Sequence, residues 1–309
     1  MSRNFKQRAY HHDYHRAGIY MVTMVVSGRA PILGSLVCED RPKIIPSDLG
    51  WRIKLQESRK MHGVHRNVEV WKFCLMPDHV HMIIRVKTDF PQGMHLGDVI
   101  RGFKTGCNRL YWELGGRKGQ GLFETGYNDR LLKYYEHLKV WKNYLDDNPR
   151  RLYIKRQHPE FFRSIHDVQI LDRSCQIIGN RFLLDNPDKE AVMVRSHFSE
   201  EKFKECMEGW LACCERGGVL VGFWISEREK LVMKEAMEQG FPVIRIRDEG
   251  FGDYYKPAGS AFDACAAGQL LQISALPHNS PRPVFSRAFC WEMNRFAERI
   301  AATPSLTFS

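Results

Sequence analysis

The chain has 309 residues, of which 43% are apolar and 27% charged, the composition of a globular protein long enough for two domains. No apolar run approaches the roughly 18 residues needed to cross a bilayer, and no apolar stretch follows Met1-Ser2-Arg3-Asn4-Phe5-Lys6. These features predict neither a membrane span nor a secretory signal, and the expected location is cytoplasmic.

Charge is shared unevenly. Residues 1–164 carry 29 Lys+Arg against 16 Asp+Glu, a net of +13; the remainder holds 46 − 29 = 17 basic and 36 − 16 = 20 acidic residues, a net of −3. A basic half suits a polyanionic partner, because neutralising phosphates releases counterions. The nine cysteines are odd in number and include no Cys-x-x-Cys, which reads as reduced core residues and not as a disulfide frame or zinc site.

In chain order, residues 1–17, with His11, His12 and His15, read as a basic arm. Ile19–Val26 is β-branched and apolar enough for a central strand, ended by Ser27-Gly28 and Pro31. Ser47 or Asp48 caps a helix expected to reach Met61. Val68–Leu75 and His79–Val86 flank the turn Met76-Pro77-Asp78 as a hairpin. A second helix is expected over Leu96–Leu114, where Leu96, Val99, Ile100, Phe103, Cys107, Leu110 and Tyr111 make one apolar stripe. Arg101, Lys104 and Arg109 lie off that stripe and are candidate DNA-binding residues. The glycine-rich loop 115–121 adds Arg117 and Lys118, without the strand–loop–helix context of a P-loop. A short strand follows over 122–132, broken near Gly126. A third helix, Tyr134–Asp147, is expected to stop at Asn148-Pro149, since proline disfavours α geometry in the residue before it. The order predicts an α+β, ferredoxin-like antiparallel sheet with helices on one side. Arg150 and Arg151 open a basic aromatic tail reaching residue 164, where the domain boundary is placed.

Residues 165–309 predict a second domain, an α/β Rossmann-like parallel sheet. Its expected strands are Ala191–Val194, Gly218–Trp224, Pro242–Ile246 and Gln269–Ile273. Helices are expected from Ser199 to Cys213, from the Ser226/Glu229 capping box to Glu238, and over Arg287–Ala301.

Chemistry concentrates in two motifs. On a strand, His79 and His81 share one face while Val80 and Met82 point to a core. Tyr144 and Asn148, at i and i+4, share one face of the third helix. If that helix crosses the sheet, a phenol and an amide oxygen approach two imidazoles. Such a donor set suits Mg²⁺ or Mn²⁺, although nitrogen is a softer ligand than Mg²⁺ prefers. Phenols ionise near pH 10, so a phenol nucleophile gains from a cation that polarises its phosphate. Read alone, each motif also fits ordinary strand histidines, a core aromatic and a helix-end asparagine.

Pro77-Asp78-His79-Val80-His81 with Tyr144-Leu145-Asp146-Asp147-Asn148-Pro149 resembles the REP-associated tyrosine transposases, single-tyrosine members of the HUH nucleases. Phe103-Lys104, Phe123 to Arg130, and Asn148-Pro149-Arg150-Arg151-Leu152 add to the resemblance, which covers roughly residues 15–165. It implies that His79, His81 and Asn148 bind the divalent metal. It further implies that Tyr144 attacks a phosphate of single-stranded or hairpin DNA, forming a 5′-phosphotyrosine and freeing a 3′-OH. A homodimer is compatible with it. Two alternatives stay open: a non-catalytic nucleic-acid-binding protein on the same fold, and a zinc metallohydrolase using the histidine pair. Gly218 to Ser226, Glu229-Lys230, Lys256-Pro257 and Phe262 to Leu271 look more faintly like a DprA/LOG-like domain of DNA-processing proteins. No nucleotide motif accompanies them, and Lys256, Gly259 and Gly268 fit either turns or a phosphate pocket.

Overall fold

Apolar side chains on both faces of one strand require cover on both sides, and this decides the first half of the chain. The computed structural model describes residues 12–306, without the side chains of 56–58, so most of the basic arm (residues 1–11) lies outside the described residues. The chain divides into two units between Tyr153 and Ile154. No described helix is long and apolar enough to cross a membrane.

In the first unit, β1 (Gly18–Val25) pairs with β5 (His79–Val86) and β6 (Asn128–Leu131), and β5 pairs with β4 (Val68–Met76). All pairings are antiparallel, and the order is β4-β5-β1-β6. A separate hairpin, β2 (Gly34–Cys38) with β3 (Pro42–Pro46), precedes α1 (Asp48–Arg52). The sequence reading missed this hairpin because prolines at both ends of β3 argue against a strand. They are tolerated here because the pair stands apart from the main sheet. Ser47 caps α1 by accepting from the Gly50 amide. A π-helical stretch, Ile53–Glu57, carries the helix on into α2 (Ser58–Val64).

Val22, Met24, Val80, Met82 and Ile84 pack against Leu49, Ile53, Met61 and the stripe of α3 (Leu96–Glu113). The opposite face is also covered. Met21, Cys74, Met76 and Ile83 enclose Leu138 and Leu145 of α4 (His137–Gln157). The helices therefore lie on both sides of the sheet, not on one as expected. Nor does α4 end at Asn148: it continues eight residues past Pro149 to Gln157. Proline lacks the N–H that would bond the Leu145 carbonyl four residues back. That carbonyl instead accepts from Cys74 Sγ of β4 at 3.3 Å. Burial pushes the Cys74 thiol up to about 11, so it keeps the proton it donates.

In the second unit, β7 (Ile165–Ile170), β8 (Arg173–Gly179), β9 (Lys189–Ala191), β10 (Val219–Gly222), β11 (Val243–Ile246) and β12 (Leu270–Ser274) form one sheet, ordered β7-β8-β12-β11-β10-β9. Strands β9 to β12 are parallel, but β8 runs antiparallel to β12 and β7 to β8. The sheet is thus mixed, not wholly parallel. The β7–β8 hairpin escaped sequence reading because its turn uses Leu171, at φ 55°, where a glycine or asparagine would signal it. Helices α5 (Glu200–Glu215), α6 (Glu227–Glu238) and α7 (Ser260–Ala266) cover one face, and α8 (Arg287–Ala302) the other. Ser199 and the Ser226/Glu229 box cap α5 and α6.

Candidate active site

Register across three strands assembles the histidine pair. His79 stands opposite Val25 and Met76, and His81 opposite Thr23 and Cys74. Alternation turns both imidazoles to the α4 side, while Val80 and Met82 enter the core beneath α1–α3. The rings meet edge to face with centroids 4.7 Å apart, and their Nε2 atoms are 3.1 Å apart.

Each Nδ1 is held from behind. His79 Nδ1 lies 2.6 Å from Asp78 Oδ1, and Arg29 donates to the other Asp78 oxygen at 3.1 Å. Burial alone would raise the Asp78 carboxyl; the hydrogen bond from His79 and the charges of His79 and Arg29 outweigh it and hold it at about 2. An ionised Asp78 only accepts, so His79 Nδ1 carries a proton, and in the neutral ring Nε2 is the lone-pair atom. His81 Nδ1 lies 2.7 Å from Thr23 Oγ1. Burial, with the charges of His79 and Arg130, lowers His81 to about 3. It is therefore neutral at pH 7. When the Thr23 hydroxyl accepts, both Nε2 lone pairs converge; when it donates, His81 Nε2–H bridges to His79.

Helix α4 supplies the third element. Its buried Leu138 and Leu145 seat it on the sheet, and Tyr144 remains 40% exposed with its ring 6.4 Å from that of His81. Arg151, two turns on, places its guanidinium 5.5 Å over the Tyr144 ring. Asn148 is buried, its Nδ2 donating to Cys74 Sγ at 3.9 Å, and Cys74 faces His81 across the ladder. The four residues singled out by motif thus collect on one face of the sheet. The competing phenols go elsewhere. Tyr134 meets His137, Tyr135 meets Trp71, and Tyr127 is buried in the α1–α3 core.

The basic candidates divide. Arg101 and Arg109 are exposed along a groove of about 670 Å³ beside α2 and α3, with Arg101 paired to Asp98 at 3.1 Å. That groove lies over the sheet face opposite the histidines. Arg117 and Lys118 are exposed on their loop. Lys104 is half-buried, not on the open surface. Its ammonium bonds the carbonyls of Glu124 (2.7 Å) and Gly126, and burial lowers it to about 8. Arg150 pairs with Asp147, and Arg151 is buried against Tyr144, not spread for a phosphate backbone. Sequence reading overlooked Thr23, Arg29, Cys74, Arg130 and the orienting role of Asp78. Only Asp78 was signalled, by its place next to His79.

The donor set fits a divalent ion. Two donor atoms at about 2.1 Å on neighbouring corners of an octahedral coordination sphere stand about 3 Å apart, close to the 3.1 Å between the two Nε2 atoms. Both rings have their rear nitrogens fixed, as metal-binding imidazoles do. Among the described residues no group of three or more His, Cys, Asp or Glu converges to close a metal site of that kind.

Residues 35–148 match the family model of IS200-like transposases, a span containing His79, His81, Tyr144 and Asn148. The match and the motif resemblance fall on the same part of the chain. Similar solved structures include a REP-associated tyrosine transposase bound to a REP hairpin, 14% identical, covering 47% of this chain and 74% of that one with a TM-score of 0.34. Another is a putative transposase from Deinococcus radiodurans R1, 17% identical, covering 47% of this chain and 96% of that one with a TM-score of 0.29. No curated protein matches.

Proposed function

We propose that the protein is a tyrosine transposase that nicks and transfers single-stranded DNA, with Tyr144 as nucleophile. The observation that carries this reading is the histidine pair, Nε2 to Nε2 3.1 Å, with a partly exposed phenol 6.4 Å away ring to ring. The family match over residues 35–148 and the +13 charge of residues 1–164 support it. The order β4-β5-β1-β6, antiparallel throughout, accords with a ferredoxin-like βαββαβ sheet.

In this reading Tyr144 Oη attacks a backbone phosphorus. The new Oη–P bond forms as the bond from phosphorus to the 3′ oxygen breaks, leaving a 5′-phosphotyrosine and a 3′-OH. The phenol proton leaves with the attack and the departing 3′ oxygen takes one up. Strand transfer is the reverse, with another 3′-OH displacing Tyr144. His79 and His81, with the Asn148 side-chain oxygen, would hold Mg²⁺ or Mn²⁺, which would supply charge stabilisation on the phosphate oxygens. Asp78 and Thr23 hold the two imidazoles in place from behind. Arg151 packs its guanidinium over the Tyr144 ring and helps fix its position.

The test is a denaturing gel with a labelled hairpin or single-stranded oligonucleotide and divalent metal. Wild-type protein should carry the label covalently. Tyr144→Phe, which keeps the ring and removes one oxygen, should bind DNA and carry none, while Tyr127→Phe, Tyr134→Phe and Tyr135→Phe should still form the adduct. An adduct that persists in Tyr144→Phe moves the chemistry to another residue.

A further inference from the structure

The second unit buries its polar side chains in one place. Among its described residues the buried polar ones are Gln176, Glu229, Arg247, Gln272 and Ser274, and Glu229 belongs to the α6 cap. The other four share one face. Ser274 stands opposite Gln176 on β8, and Gln272 opposite Arg245 on β11. Arg247, two residues after Arg245, points the same way. The residues that precede them on that face, Leu220, Val243 and Leu270, belong to the core beneath α5–α7. The polar patch therefore continues that core at the carboxyl ends of β10, β11 and β12, where open α/β sheets receive ligands.

The hydrogen bonds there are incomplete. Arg247 Nη1 donates to Tyr255 Oη at 2.8 Å and to Gln272 Oε1 at 3.2 Å, and Nη2 pairs with Glu249. The other nearby carboxylate, Asp248, is taken by Arg282 at 2.7 Å. The Arg245 side chain forms no hydrogen bond or ion pair among the described residues. Its Nε, the Nε of Arg247 and the Nε2 of Gln272 are all buried without a partner. Unpaired buried donors cost free energy, and more so on cations. Two guanidiniums two residues apart on one strand face, with Glu249 bonded to one of them, also repel each other. Burial, then Arg247, pushes the Arg245 guanidinium down from its ordinary range. On the β10 side the residue opposite Arg245 is Gly222, over which the Trp224 indole lies. Trp224 holds φ at 53°, a strained conformation for a bulky side chain, and such strain clusters at ligand sites.

We propose that this patch is an anion site that takes one phosphate group of a small phosphate-bearing ligand. Arg245 and Arg247 hold the group and the Gln272 amide is a third donor. Three separate unpaired N–H groups suit a tetrahedral oxyanion with several acceptor oxygens better than a planar carboxylate. The proposal does not depend on the Tyr144 chemistry.

The test uses the full-length protein and inorganic phosphate as probe. At constant ionic strength, phosphate should raise the unfolding temperature of the wild type along a saturable curve. Arg245→Gln should weaken that response about tenfold or more, the worth of a charge-assisted contact. Arg245→Lys, which keeps the charge without the fork, should keep part of it. The unliganded unfolding temperature of Arg245→Gln should hold or rise, showing that the variant folds. Competition by a 5′-phosphorylated oligonucleotide but not by its 5′-hydroxyl form assigns the phosphate to a strand end. Competition by neither assigns it to a free small molecule. No phosphate response in the wild type, an equal response in Arg245→Gln, or binding of both oligonucleotides without phosphate binding overturns the proposal.

Discussion

Helix α4 passes through Pro149 where the freed Leu145 carbonyl accepts from Cys74, and this link can be measured. Cys74→Ala removes the Sγ donor 3.3 Å from the Leu145 carbonyl and the acceptor for Asn148 Nδ2 at 3.9 Å. Losing buried sulfur volume costs on the order of 1 kcal/mol, and an unsatisfied buried carbonyl adds about 1–3 kcal/mol, towards the low end because a thiol is a weak donor. Pro149→Ala restores the backbone N–H that the Leu145 carbonyl lacks. In that background Cys74→Ala should cost only the volume term. The coupling between the two substitutions should then be about 1 kcal/mol, from four urea-unfolding curves followed by a probe in residues 12–153. Cys74→Ser, a better donor of similar shape, should be close to neutral and should retain adduct formation. A coupling under about 0.3 kcal/mol, within the usual error of additivity, would refute the idea that Cys74 stands in for the missing amide. The α4 register, and with it the approach of Tyr144 to His81, would then need another explanation.

Other expectations follow from the same geometry. His79→Ala and His81→Ala should each abolish metal-dependent cleavage and leave the far-ultraviolet circular dichroism unchanged; full nicking by the double variant would remove the metal assignment. Asp78→Asn and Thr23→Val, which loosen the imidazoles from behind, should weaken divalent-metal affinity by about 10- to 100-fold in calorimetry. His81 has a folded-state pKa of about 3 against an ordinary 6.5, so its contribution is fully present above 6.5 and is lost as pH falls towards 3. Metal-free protein should therefore lose about 2 kcal/mol of stability between pH 7 and pH 5 through this residue, and His81→Gln should flatten that part of the pH–stability curve. Lys104→Met should destabilise the first unit by about 1–3 kcal/mol, because the Glu124 and Gly126 carbonyls lose their donor. Its effect on DNA affinity should be small beside that of Arg117→Ala with Lys118→Ala, read by fluorescence anisotropy at several salt concentrations.

Local signals were sufficient wherever the chain's own periodicity decides the outcome. Strict alternation in β5 put His79 and His81 on one face and Val80 and Met82 on the other, as found. The i, i+4 spacing put Tyr144 and Asn148 on one side of α4, and the stripe from Leu96 to Leu110 marked α3. Side-chain caps at Ser47, Ser199 and Ser226 are equally local and were equally legible.

The remainder depended on partners distant in sequence. A proline reads as a helix stop because the chain nearby offers no donor for the freed carbonyl; the thiol that serves it is 71 residues away on β4. Lys104 and Arg151 read as surface cations because charge normally stays in water, yet the carbonyls of the 124–126 loop and the Tyr144 ring draw them inward. Thr23 acquires its role only when β1 pairs with β5 in a register that sets it opposite His81. Likewise Arg245, Arg247, Gln272 and Gln176 are unremarkable polar positions on separate strands until the sheet order sets them side by side. Periodicity assigns each side chain to a face, whereas only pairing and packing decide which other side chains share it.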